Sequence, residues 1–127
     1  MEVSFGYTSE FKRQMKRLSK KYPSLQSDYN ILLAELSNNP FLGTDLGNGI
    51  RKVRMAISSK GKGKSGGARV ITYNINESPF LIHIDLLTIY DKSEISNVSD
   101  SFMIPLQKVA FKLDISASSG ANSESAG

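Results

Sequence analysis

Val3, Phe5 and Tyr7 alternate with polar or small neighbours, a period-two pattern that predicts a short opening strand. Thr8 follows as a candidate helix cap, with Glu10 in the first turn, where the helix dipole favours an acid. Phe11, Met15, Leu18 and Tyr22 then fall at i, i+4, i+7 and i+11, one apolar stripe along a helix. Pro23 stops that helix, and Ser24 is placed to cap a second one carrying Leu25, Tyr29, Leu32, Leu33 and Leu36. Asn38, Asn39 and Pro40 close it. Two such helices form an antiparallel hairpin whose stripes require a sheet face to cover them.

The alternation resumes at Ile50. Through Ile57 it sets Val53, Met55 and Ile57 on one face of a strand and Lys52 and Arg54 on the other. Ser58 to Gly67 is built of Ser, Lys and Gly, which predicts a long mobile loop, and from Ala68 the run ARVITYNI is rich in β-branched and aromatic residues, as a second strand requires. Arg69 shares its parity with Ile71 and Tyr73, so its guanidinium belongs beside the loop. Phe80 to Tyr90 is almost continuously apolar, the pattern of a strand buried on both faces. Leu106, Val109, Ala110 and Leu113 predict a short final helix beginning near Pro105. The expected fold is α+β: a four-stranded antiparallel sheet, an N-terminal helical hairpin on one face and a short C-terminal helix.

Charge sharpens this picture. Between Leu46 and Asn76 there is no acidic residue, while Arg51, Lys52, Arg54, Lys60, Lys62, Lys64 and Arg69 all lie there. Such density repels itself unless water or an anion answers it, which points to a phosphate-bearing partner. The whole chain of 127 residues carries +4. Its last fourteen, Asp114 to Gly127, hold two acids and no base, which leaves +6 on residues 1–113. The expected division is therefore a single domain, 1–113, and a disordered Ser/Ala/Gly-rich tail, 114–127, too poor in apolar surface to offset its ordering entropy. The first helix carries a second basic face, Lys12, Arg13, Lys16, Arg17, Lys20 and Lys21, which suits either an ordinary solvated surface or a further contact with RNA or an acidic partner.

Composition removes several chemistries. With no cysteine there is no disulfide, thiolate metal site or cysteine nucleophile. No run approaches a membrane span and none resembles a signal peptide, so a soluble, cytoplasmic protein without membrane contact is expected. Gly63, Lys64 and Ser65 imitate the end of a phosphate-binding P-loop, but its first glycine would fall on Ser58 and a strand follows where a helix must. His83, the single histidine, sits mid-strand between Ile82 and Ile84, as a structural histidine with satisfied nitrogens would. Asp85, Asp91 and Glu94 lack metal-ligand spacing, and neither metal nor cofactor is expected. What remains is a cation-rich site with a tyrosine. RNA is cleaved without metal when its 2′-hydroxyl attacks the adjacent phosphate, given a proton acceptor, charge stabilisation and a proton donor. Lysine crowded by like charge and forked arginine are suited to those tasks, although lysines on a glycine-rich tip are equally suited to solvation alone.

The run RKVRMAISSKGKGKSGGARVITY, the apolar strand ending in IYDKSE, the earlier FKRQMKRLSKKYP and the second helix closing at NNP together resemble the RelE/ParE superfamily of bacterial toxins from toxin–antitoxin pairs. The resemblance covers roughly residues 3–113, and GKSGGARV is most similar to the RelE-type, HigB-like branch. It implies a ribosome-dependent endoribonuclease, an mRNA interferase, that cuts translated mRNA without metal. Carried over by position, it assigns Arg69 to the phosphorane, Lys52, Arg54 and Lys60 to RNA binding, Lys62 and Lys64 to the reactive loop, and Tyr90 and Lys92 to the end of the last strand. The base is left among the lysines of the tip. A cognate antitoxin is implied as partner, commonly of helix-turn-helix type in this branch. Two other functions suit the same fold: a ParE-like poison of DNA gyrase, and a basic nucleic-acid-binding domain without catalysis.

Overall fold

A computed structural model describes residues 1–94. The order of elements is β1 (Glu2–Tyr7), α1 (Ser9–Lys21), α2 (Leu25–Asn38), β2 (Thr44–Gly47), β3 (Ile50–Met55), a short 3-10 turn (Ser58–Lys60), β4 (Ala68–Ser78) and β5 (Leu81–Asp91). The expected helix near Pro105 and the tail 114–127 lie outside the described residues.

Both helices start and stop where the sequence indicates, with one difference. Thr8 caps α1 through its side chain, which accepts from the Phe11 N–H at 2.9 Å, and its hydroxyl donates to the Leu87 carbonyl at 2.6 Å. The cap thereby fixes the helix start to β5. Ser24, by contrast, caps no N–H of α2. Its hydroxyl is occupied by Asp28 and Ser59, so it links the helix to the loop.

The sheet departs from expectation. It has five strands in the order β1-β5-β4-β3-β2, and it is mixed. β1 runs parallel to β5, with Val3 opposite Ile82 and Phe5 opposite Ile84, while the other neighbours are antiparallel. The additional strand, β2, is a four-residue exposed edge, TDLG, without apolar alternation to announce it. It reaches β3 because Gly43 adopts φ +93°, and a Cβ there would meet the Lys52 carbonyl at 2.5 Å.

Because β1 and β2 are opposite edges, the helical hairpin that connects them must cross one face of the sheet. The core sits under it: Phe11, Leu18, Leu25, Leu32 and Leu36 pack on Val53, Met55, Ile57, Val70, Ile82, Ile84, Leu86 and Ile89. The predicted parity of β3 is observed, and β5 is buried on both faces as expected from its continuous apolar run. A smaller second cluster, Ile50, Ile71, Leu87 and Tyr90 with Tyr73 against it, occupies the other face, which by strand parity is also that of Lys52, Arg54 and Arg69. No helix among the described residues is long and apolar enough to cross a membrane.

Candidate functional site

Strand register brings the central groups together. Arg54 on β3 lies directly opposite Arg69 on β4, and Arg69 lies directly opposite Tyr90 on β5. The three form a row across adjacent strands, and all three belong to the set expected from the sequence. Two like charges facing each other across a ladder are unfavourable. Among the described residues no carboxylate pairs with either guanidinium. Arg69 is only 6% exposed, and its groups donate to main-chain carbonyls instead: Nη1 to Lys64 at 3.0 Å and Ala68 at 3.1 Å, Nη2 to Ser65 at 3.2 Å. Burial, then the neighbouring Arg54, holds the Arg69 pKa below the usual guanidinium value. Of its five N–H groups, those three bonds leave two unassigned.

Tyr90 completes the row. It is 5% exposed, and its hydroxyl finds no hydrogen-bond partner among the described residues. Burial raises its pKa, while the Arg69 charge acts the other way. The phenol therefore stays protonated at neutral pH, a donor without an acceptor among the described residues.

Lys52, Arg54 and Lys64 line an open cavity of about 250 Å³, together with Leu42, Gly43, Thr44 and Val53. Two members of this set were invisible in the sequence for a simple reason. Gly43 and Thr44 enter only because β2 exists, and β2 has no sequence signal.

The loop is the largest departure from expectation. It is tied at its root and along its length. The 3-10 turn is held by Asp28 of α2, whose carboxylate accepts from the Ser58 N–H at 2.9 Å and from the Ser58 hydroxyl at 2.6 Å. Lys60, expected to bind RNA, is 11% exposed and pairs at 2.7 Å with the fully buried Asp91. Asp91 also accepts from the Tyr22 hydroxyl, the Ser93 N–H at 3.0 Å and the Ser93 hydroxyl at 2.8 Å. Burial opposes the charge of Asp91, but these donors win and hold its carboxyl well below the ordinary carboxylate range. The structure thus places the Lys60 ammonium inside the protein on Asp91, apart from the cations that line the open cavity.

Lys64 donates to Glu35 of α2 at 2.8 Å while remaining about half exposed. Lys62 is exposed, and among the described residues its ammonium has no partner. Lys92 lies just past β5 with an exposed side chain, and its N–H donates to the Gly67 carbonyl at 3.0 Å, closing the loop against the strand end. His83 is satisfied as expected: one ring nitrogen faces Ser4 Oγ at 2.7 Å and the other Asp85 Oδ1 at 2.8 Å. Sequence reasoning missed the loop's three anchors, Asp28, Glu35 and Asp91, because each is an isolated acid far along the chain from the residue it holds.

The arrangement offers Lys52, Arg54 and Lys64 around an open cleft, with Arg69 and the protonated phenol of Tyr90 buried on the strands next to Arg54. Chemically, it can grip a tetrahedral phosphate and supply a proton beside it. No protein-family model matches the chain.

Proposed function

We propose that the protein is the toxin of a toxin–antitoxin pair, a ribosome-dependent endoribonuclease that cuts translated mRNA by attack of a 2′-hydroxyl on the adjacent phosphate. The observation that carries this reading is the Arg54–Arg69–Tyr90 row, in which facing guanidinium groups have no carboxylate partner among the described residues. An anion entering from outside would relieve that repulsion, and a phosphorane carries more negative charge than the ground state, so the relief grows along the reaction. The resemblance of the flanking sequence to RelE-type toxins supports the same assignment, and it supplies the expectation of a cognate antitoxin.

In this reading the unassigned N–H groups of Arg69 meet the phosphorane oxygens. Tyr90 donates its proton toward the leaving 5′-oxygen, and Lys62 is the candidate acceptor for the 2′-hydroxyl proton. Lys52 and Arg54 grip neighbouring phosphates across the cavity, with Lys64 at its edge and Lys92 beside the strand end.

The test is primer extension on mRNA after induction. Cuts inside translated codons are expected for the natural protein and are expected to vanish for Arg69→Ala, since losing one charge stabiliser costs on the order of 3 kcal/mol, about a hundredfold in rate. Normal cleavage by Arg69→Ala would overturn the assignment. Intact mRNA together with inhibited gyrase supercoiling would replace it with the gyrase reading, and a steep salt dependence of binding without any cleavage would leave only a nucleic-acid-binding domain.

A further inference from the structure

The guanidinium of Arg69 hangs from the loop. Two of its three carbonyl acceptors, Lys64 and Ser65, are loop residues, so the direction in which Arg69 points depends on where residues 64 and 65 are held. Those residues have little intrinsic stiffness, being flanked by Gly63 at φ +62° and by Gly66. The main-chain bonds that close this stretch are long: Gly66 N–H to the Lys62 carbonyl at 3.3 Å and Gly67 N–H to the Lys64 carbonyl at 3.4 Å. Lys60 and Asp91 fix the loop's root four residues earlier. The side chain of residue 64 reaches the scaffold through the 2.8 Å pair between Lys64 Nζ and Glu35 on α2.

We propose that Glu35 is a positioning residue for Arg69: its carboxylate holds the Lys64 side chain, and the Lys64 main chain in turn holds the guanidinium. This rests on the cleavage reading above and adds to it a residue on the far layer that touches neither RNA nor the reacting phosphate. It also reassigns Lys64, whose contribution runs through its carbonyl at least as much as through its ammonium. Simple electrostatics makes the opposite statement. If Glu35 only screened Lys64, removing it would free an ammonium for RNA and tighten binding.

The two accounts separate in Glu35→Gln, assayed for cleavage on translating ribosomes. Positioning predicts that kcat falls on the order of tenfold, since small misplacements of a catalytic group are expensive, while KM stays level. Melting temperature should not move, because half-exposed ion pairs add little to stability. Lys64→Met should lose a similar factor, and the double variant should lose no more than either single one, the mark of two residues acting through one contact. Glu35→Asp should recover part of kcat. Trypsin cleavage after Lys62, read on the protein without RNA, should accelerate several-fold in Glu35→Gln as the loop loosens.

An unchanged kcat with a lowered KM in Glu35→Gln would overturn the inference while leaving the cleavage reading intact, as would additive losses in the double variant. An inactive natural protein would overturn the cleavage reading, and this inference with it.

Discussion

A buried phenol whose hydroxyl meets no partner among the described residues is an expense that the packing of those residues does not explain. Burying an unpaired hydroxyl costs about 1–3 kcal/mol, and Tyr90 carries that cost beside a guanidinium that is itself nearly closed off. Tyr90→Phe keeps the ring that packs on Ile71 and Leu87 and deletes the oxygen. The expected outcome is a melting temperature that is unchanged or raised, together with a cleavage rate lowered at least tenfold if the phenol is the proton donor. Thermal denaturation and primer extension on the same preparation check both halves. At this scale the sequence was informative about direction and silent about pairing. Alternation placed Arg69 on the face of Ile71 and Tyr73, but it could not show that its neighbour across the ladder would be Arg54. Nor could it show that Lys60 would be spent on an acid thirty-one residues away.

Three elements meet at Asp91: the end of α1 through Tyr22, the 3-10 turn through Lys60, and the end of β5 on which it sits. Removing one member of a buried pair leaves the other charged and unanswered, which typically costs about 3–5 kcal/mol. Asp91→Asn should lose stability of that order in chemical denaturation. The acid side of the stability profile follows from the same contact. The Asp91 carboxyl is depressed in the folded state relative to its ordinary value of 3.8, so its contribution is complete above that value and is lost as pH falls through it toward the folded value. Melting temperature should therefore drop as pH is lowered below about 4, and the drop should be shallower in Asp91→Asn. The loop illustrates why such elements escape sequence reading. Its composition announces a flexible connector, and the acids that restrain it come from α2 and β5, where nothing distinguishes them from solvent-facing charges.

Taken whole, the molecule separates two basic surfaces by the thickness of the sheet. α1 and its cations lie on the helical side, whereas the Arg54–Arg69–Tyr90 row lies on the other. Arg13 pairs with Glu10, and Arg17 with Glu94 in a two-pronged bond at 3.0 Å for each contact. Lys12, Lys16 and Lys20 are left exposed. Replacing these three with Gln should leave kcat for cleavage unchanged. Replacing Lys52 and Arg54 with Gln should flatten the salt dependence of RNA binding by roughly 0.7–0.9 in log–log slope per lost phosphate contact. Filter binding across a salt series distinguishes them. The helical layer, the core and the strands β3 to β5 were legible from periodicity. The sheet's width and one of its directions were not, since β2 is too short to carry a pattern and alternation in β1 reports a strand without naming its neighbour.

The strand at the beginning of the chain finds its place beside the last strand described, with Glu2 set against Leu81. A ribosome emits the first of these roughly eighty residues before the second, so during synthesis the opening segment waits without its neighbour while the hairpins behind it form. The sheet's far edge is closed by its most distant contact, and pairing across so long a separation is slow to establish. The row of β3, β4 and β5 is built from antiparallel neighbours, and it is expected to assemble ahead of the long-range β1–β5 pairing, an order that pulsed hydrogen exchange during refolding would read.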